Sequence, residues 1–336
     1  MIFNKKVVRF MVNRHDGATQ YDRQIDIALR AKLSNFSYIV QDIKDYKSLP
    51  RFMAFIFFWF RAQYLLFFGN FDVVIGSPWI MLIYPKSVSI ISVSHHYDPS
   101  IFRGIKMLYV KFAHWLFMTQ KSRIDLVVSC SKYWSQYYKE KGFKKTLTIY
   151  NGFDIKFMDN SLSVLENKLV LNKYNLKSKK YLHLGSYGHA KGQKIAVMGL
   201  KEFDFPMVAT CSYNVKLIKN LEDVQFINAN FQEYNVLLKN AKAVICMSEF
   251  KEGWCRVLHE AAIHGTPIIG SGLGGMEELL DIGEFMPSTI KSLSHDLNKR
   301  INQGSISNEK LKSFRAFTLE RFNKAWQNCI YEFLDA

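Results

Sequence analysis

At 336 residues and 39.2 kDa the chain has room for two domains of roughly 150 residues, and its 49% hydrophobic and 22% charged content excludes disorder, a collagen-like fibre and a small disulfide scaffold. The net charge of +16 is uneven: residues 1–155 hold 22 Lys and Arg against 10 Asp and Glu, and the remainder hold 23 against 19, so the field that attracts phosphates belongs to the first half. Five scattered cysteines (Cys130, Cys211, Cys246, Cys255, Cys329) with no Cys-x-x-Cys pair argue against structural zinc and an oxidised framework, and suit a reducing cytoplasm.

The opening stretch, MIFNKKVVRFMVN, places charges where a signal peptide needs an apolar core, so no secretion signal is expected. An apolar run at 7–13 gives way to Asn13-Arg14-His15-Asp16-Gly17-Ala18. Ile25, Ile27, Ala28, Leu29 and Leu33 then follow at helical spacing, which predicts strand, turn and helix. Residues 52–68, FMAFIFFWFRAQYLLFF, are almost wholly apolar. Seventeen residues is short for a membrane span, and an arginine at the bilayer centre costs about 2.5 to 3.5 kcal/mol, so Arg61 speaks against one. Two readings stay open: a largely buried helix of a layered sandwich, or a helix dipping an aromatic face into a membrane surface. Further strand-like runs occupy 36–41, 71–77, 88–94, 125–131 and 146–151, with helical patterns at 100–119 and 132–142. Such alternation predicts parallel βαβ units.

Polar, Lys- and Asn-rich sequence without clear periodicity fills 155–178. A second series of strand-like runs follows at 180–186, 206–212, 224–229, 243–248 and 267–271, again separated by helices. The chain therefore divides into two open α/β domains, set at 1–160 and 161–336. The amphipathic stretch 309–334 ends the chain, and its last part (about 315–334) is expected to pack back on the first domain.

The segment richest in chemistry is Ser248 to Pro267, SEFKEGWCRVLHEAAIHGTP. It follows an apolar run, turns at Gly253, continues as a helix and stops at Gly265. Glu252 is expected at the helix start, where free amides suit an anion or a polar sugar. Glu260, eight residues on, would lie roughly 12 Å further along the axis. Two carboxylates so spaced can hold two hydroxyl-bearing groups separated by a diphosphate, the outline of a nucleotide sugar. His259 and His264 nearly spell a zinc-protease pattern, but at i and i+5 they diverge by about 140° on a helix, so no metal site is expected. The bland alternative is a solvated helix with two incidental glutamates.

Glu252-x7-Glu260, followed by Gly265-Thr266-Pro267 and Gly274-Gly275-Met276-Glu277-Glu278, resembles the C-terminal domain of family 4 glycosyltransferases. The loop Gly185 to Gly192, GSYGHAKG, is similar to the phosphate loop of that family, DLVVSCSKYW (125–134) to its strand leading to a serine, and Ile149-Tyr150-Asn151-Gly152 to its Asn-Gly before the linker. The resemblance implies a GT-B fold, two Rossmann-like domains facing across a cleft, and retaining transfer from a nucleotide-diphosphate sugar with no cofactor and no metal. It implies that Glu260 binds the ribose and that Glu252, with the amides of Gly253 and Trp254, binds the donor sugar. Lys191 would meet the diphosphate, and His95 would lie near the transferred sugar, with His96 as the alternative register. Gly17, Gly185, Ser186 and Cys255 complete the implied donor set. Two positions depart from the pattern. Ser186 stands where the family has an arginine, a cation that Arg256 could supply, and Asp16-Gly17-Ala18 replaces a Gly-Gly pair.

The basic, aromatic-rich first domain suggests a glycan or lipid-linked acceptor at the inner face of a membrane, as in bacterial surface polysaccharide or lipopolysaccharide assembly. A cytoplasmic protein, peripheral on that membrane, would follow. A nucleotide-sugar epimerase of the same fold and a basic nucleic-acid-binding protein are the alternatives. The second is disfavoured, because no recognised nucleic-acid motif accompanies the basic residues. No Asp-x-Asp motif occurs in the chain.

Overall fold

The computed structural model describes residues 5–11, 17–31, 37–42, 50–85, 87–160, 163–188, 190–211, 221 and 223–334. The chain forms two units, residues 1–152 with 319–336, and residues 153–318.

The sheet of the first unit contains β1 (Lys6–Met11), β2 (Ser37–Asp42), β3 (Val73–Gly76), β4 (Ser89–Val93), β5 (Leu126–Ser129) and β6 (Thr146–Thr148). All neighbours are parallel, in the order β2-β1-β3-β4-β5-β6. Parallel strands need crossover helices on the sheet faces, and burial on both faces explains why β3 and β5 are near-continuous apolar runs rather than alternating ones. On one face, Val8, Val74, Ile90 and Val127 pack with residues of three helices. These are Phe58, Ala62 and Leu66 of α2 (Arg51–Phe68), Phe117 of α3 (Ile105–Thr119), and Trp134 and Tyr138 of α4 (Lys132–Glu140). Two further helices of this unit, α1 (Gly17–Arg30) and α13 (Leu319–Leu334), lie against each other. Tyr21 meets Phe322 edge to face at 5.1 Å, and Gln327 Nε2 donates to the Ala28 carbonyl at 3.1 Å.

The stretch 52–68 is a helix with one buried face, formed by Ala54, Phe58, Ala62 and Leu66. Gln63, the polar residue at its middle, is satisfied by the backbone of Ile83, accepting from its N–H at 2.7 Å and donating to its carbonyl at 3.1 Å. The opposite face is exposed. Among the described residues no helix is long and apolar enough to cross a membrane.

The second unit has β7 (Leu182–Ser186), β8 (Met207–Thr210), β9 (Val224–Ile227), β10 (Ala243–Cys246) and β11 (Ile268–Gly270), all parallel, in the order β11-β10-β7-β8-β9. From β7 the chain builds outward through β8 and β9, then crosses back so that β10 lies on the other side of β7. The strand order therefore reverses between β7 and β10. At such a reversal the loops leaving the two strands diverge, and a crevice opens beyond their carboxyl ends.

The expected boundary at 160/161 lies instead at 152/153. Phe153 N donates to the Phe317 carbonyl at 2.9 Å, and residues 153 and 318 form an isolated parallel bridge, which ties Phe153 to the second unit. The same bridge interrupts the expected helix 309–334, which is two helices, α12 (Asn308–Arg315) and α13. The polar stretch 155–178 is also largely helical. Asp154 caps α5 (Ile155–Asp159), and a reciprocal Ser163 and Glu166 capping box starts α6 (Val164–Lys173).

Candidate functional site

Three loops, leaving β7, β10 and β11, meet at Glu252. Leaving β7, the chain passes Gly185 and Ser186 and reaches Lys191 just before α7 (Gln193–Gly199). His183, buried as the second residue of β7, accepts at Nδ1 from the Gly185 N–H at 3.1 Å, which fixes the turn at the strand end. Burial lowers the His183 pKa to about 3, so the ring is neutral. Glu249 N donates to the Ala190 carbonyl at 2.9 Å, joining the loop after β7 to the loop after β10. From the third loop, the Leu273 carbonyl accepts from Glu252 N at 3.0 Å, and Gly275 N donates to the Glu252 carbonyl at 2.8 Å. The Glu252 backbone is thus held from both sides.

Its side chain is held as well. The carboxylate is buried, and Oε1 accepts from Lys191 Nζ at 2.7 Å and from Ser248 Oγ at 2.6 Å. The Lys191 ammonium also lies over the Phe250 ring, 4.7 Å from its centre. Burial lowers the Lys191 pKa, but the Glu252 carboxylate outweighs it and raises the lysine pKa above its ordinary value, so the ammonium is charged at neutral pH.

Glu252 does not open the helix. The helix, α9, runs Arg256–Ile263, with Cys255 at its N-cap, so Glu252 lies four residues earlier in irregular chain. The expectation of two carboxylates on one helical rod, about 12 Å apart along its axis, is therefore corrected: the backbone of residue 252 is committed to pairing with Leu273 and Gly275 and cannot also start a helix. Gly253, Trp254 and Cys255 are buried in the intervening turn, where Trp254 Nε1 donates to His259 Nδ1 at 3.0 Å. With Nδ1 so engaged, His259 donates from Nε2 to the Phe314 carbonyl at 2.9 Å, and its two nitrogens both serve packing.

Glu260 sits on α9, buried, with Oε2 accepting from Tyr234 Oη at 2.8 Å and Oε1 from Arg256 Nη2 at 3.0 Å. Arg256 also stacks over the Phe153 ring at 4.6 Å. The arginine expected beside Glu252 is therefore paired with Glu260, because α9 begins at Arg256 and puts residues 256 and 260 one turn apart. Ser186 is exposed and its hydroxyl faces Thr210 Oγ1 at 3.3 Å.

Gly17 and His95 belong to the first unit. Gly17 is the first residue of α1, while Asp16 and the rest of the segment 12–16, expected to be a turn, lie outside the described residues. His95 follows β4 and is buried. Its ring meets Tyr21 edge to face at 4.9 Å, and Nε2 lies 3.7 Å from Oδ1 of Asp22, an oxygen that also accepts from Arg9 Nη2 at 3.0 Å. Burial opposes a charge on His95, but Asp22 and Cys130 outweigh it and raise the pKa to about 10. The Asp22 carboxyl is held below its ordinary range by His95 and Arg9, against burial. The sign follows for stability. A raised histidine pKa contributes fully below about 6.5 and is lost as pH climbs through about 10. NMR titration of the His95 ring is expected to show a midpoint near 10. In Asp22→Asn it should fall, because the carboxylate that favours the imidazolium against burial is gone while the contribution of Cys130 remains. A midpoint in the native protein near 6.5 would mean that the carboxylate does not hold the imidazolium.

Several of these partners carry no signal in the sequence. Tyr234, Asp22 and Arg9 are single residues far from the motifs they serve, and only the fold brings them there. Ser248, four residues before Glu252 at the end of an apolar run, is the one that spacing could have suggested.

No protein-family model matches this chain, and no curated protein matches it either. Solved structures do resemble it. HepE of Anabaena, in complex with UDP and glucose, aligns over 98% of this chain and 100% of its own at a TM-score of 0.71 with 16% identity. Sucrose-phosphate synthase of Thermosynechococcus elongatus aligns over 98% and 99% at 0.73 with 14% identity. WaaG, a glycosyltransferase involved in lipopolysaccharide biosynthesis, aligns over 95% and 98% at 0.69 with 12% identity. The protein therefore has the GT-B fold, two parallel α/β units carried on one chain.

Proposed function

We propose that the protein is a retaining glycosyltransferase of the family 4 type, moving a sugar from a nucleotide-diphosphate sugar to a glycan or lipid-linked acceptor in surface polysaccharide or lipopolysaccharide assembly. The observation that carries this reading is the pairing of Lys191 with Glu252 beyond the carboxyl ends of β7 and β10, where the strand order reverses. The fold shared with HepE, which binds UDP and glucose, and with WaaG supports it.

Breaking the anomeric C–O bond leaves negative charge growing on the departing diphosphate, and stabilising that charge is the main electrostatic task. Lys191, already charged and held at the crevice, is the cation for it. Glu252 accepts hydroxyl protons of the donor sugar, aided by the amides of Gly253 and Trp254, and Glu260 takes the ribose. Arg256 and Tyr234 hold the Glu260 carboxylate in place, one on each oxygen. The first unit receives the acceptor. Because Lys191 supplies the positive charge, the reaction calls for no metal, and a chelator should leave turnover unchanged.

A panel of nucleotide sugars screened for thermal stabilisation tests this directly. A donor at 100 times its Kd should stabilise the protein by about 2.7 kcal/mol, which is several degrees in Tm for a domain of this size. NMR of the product anomer then decides retention. If no nucleotide or nucleotide sugar raises Tm, the donor assignment is wrong.

A further inference from the structure

A helix that is apolar on every side is ordinarily buried on every side, and α2 is not. Ala54, Phe58, Ala62 and Leu66 enter the core, while Met53, Phe57, Phe60, Tyr64, Phe67 and Phe68 stand in solvent at the spacing of the opposite face, Phe68 at 70% exposure. The neighbouring helix does the same. Along α3, Val110, Ala113 and Phe117 are buried, and Ile105, Leu108, Phe112 and Trp115 are exposed, Ile105 at 85%. The two helices adjoin through Phe55 and Tyr109, whose rings meet edge to face at 5.9 Å. Singly exposed apolar residues are ordinary, but ten on two adjoining helices form a patch of a kind that soluble monomers rarely leave open.

Charge says what covers it. Neither helix contains an acidic residue, and none occurs anywhere in 99–124, a stretch that carries Arg103, Lys106, Lys111, Lys121 and Arg123. Arg61 is exposed among the aromatics of α2, and Lys106 lies over the Phe102 ring at 4.7 Å. Aromatic side chains with a rim of cations and no carboxylates match the headgroup region of an anionic bilayer. There the rings enter the acyl boundary and the cations meet lipid phosphates. A second copy of the same face would instead bring cation against cation.

We infer that the exposed faces of α2 and α3 form a docking surface for an anionic membrane, holding the first unit at the bilayer without spanning it. This goes beyond sugar transfer and is read without donor or acceptor, so each can fail separately.

The test is flotation of the full chain with vesicles of phosphatidylglycerol and phosphatidylcholine in equal parts, and with phosphatidylcholine alone. Binding is expected to the first, weakened by salt, and little to the second. Combined Phe60→Ser, Phe67→Ser and Trp115→Ser should lower the partition coefficient roughly a hundredfold. Arg61→Glu with Lys111→Glu should lower it at least about fivefold for each charge. Val164→Ser with Leu165→Ser, exposed apolar residues of α6 in the other unit, should change nothing. All these positions are at the surface, so unchanged Tm certifies the fold of each variant. Three results would overturn the assignment: no flotation with anionic vesicles, flotation that the triple variant retains, or a dimer in light scattering that the triple variant splits into monomers.

Discussion

Lys191→Met is expected to lower kcat by about 10²- to 10³-fold while the protein stays folded, the loss seen when one preorganised donor to a developing anion is removed. Methionine keeps most of the length and apolar stem of lysine and deletes only the ammonium. The diphosphate would then depart without its cation. Glu252 would keep Ser248 as its partner, so its carboxylate is not stranded. Breaking a fully buried ion pair commonly costs 3–5 kcal/mol, but the Lys191 side chain is 37% exposed and solvent screens the pair, so a cost of about 1–2 kcal/mol is the better expectation. Glu252→Gln separates the two roles. Glutamine can still accept from Ser248, yet it no longer neutralises Lys191 and is a weaker acceptor for sugar hydroxyls, so donor KM should rise as kcat falls. Steady-state kinetics with Tm as a control on folding checks both. Turnover of Lys191→Met within a factor of three of the native rate would remove the lysine from the chemistry and, with it, the observation on which the transferase reading rests.

Among the described residues, nine of the eleven strands fall inside the apolar runs that the sequence displays, and β1 and β2 overrun theirs by Lys6 and Asp42; a parallel strand covered on both faces is mostly apolar and leaves a near-continuous signal. The ends of elements were less legible, and they matter most here. Nothing local distinguishes the segment at Glu252 from the first turn of a helix. What keeps it irregular is its pairing with Leu273 and Gly275, 21 and 23 residues away in sequence. Likewise Phe317 and Thr318 read as part of a helix until their pairing with Phe153 is known. The order of carboxylates and glycines could be read from the chain, but which cation faces which carboxylate could not. Arg256 is nearer to Glu252 in sequence count than many contact pairs, and yet it is bound to Glu260, while Lys191, sixty-one residues before Glu252, is that carboxylate's partner. Parallel topology makes this ordinary. Adjacent strands β7 and β10 are distant in the chain, so loops that meet at their ends carry no sequence trace of having met.

Gly192→Ala should cost more than about 4 kcal/mol and leave little folded, active protein. Residue 192 has φ of +75°, where an L side chain is strained by roughly 1–2 kcal/mol. Strain is the smaller part. A Cβ placed there would lie 1.7 Å from the Met247 carbonyl oxygen and 2.3 Å from its carbon. Both are backbone atoms immediately after β10, and unlike the tip of a flexible side chain they cannot swing away. Relief requires the loop after β7 to withdraw from the loop after β10. That movement breaks the Glu249 to Ala190 hydrogen bond and pulls Lys191, the preceding residue, away from Glu252. Gly265→Ala is the matched control. Its φ is +74°, nearly the same, but nothing lies within 4 Å of the added Cβ, so only the strain remains. For a unit of this size the contrast should appear as a fall in Tm of a few degrees for Gly265→Ala and well over 10 °C for Gly192→Ala. Equal melting temperatures for the two variants would show that the loops do not approach as closely as the Lys191 and Glu252 pairing requires. Glycine at 192 is thus demanded by the distance between two strand-end loops, and that same distance sets the ammonium against the carboxylate.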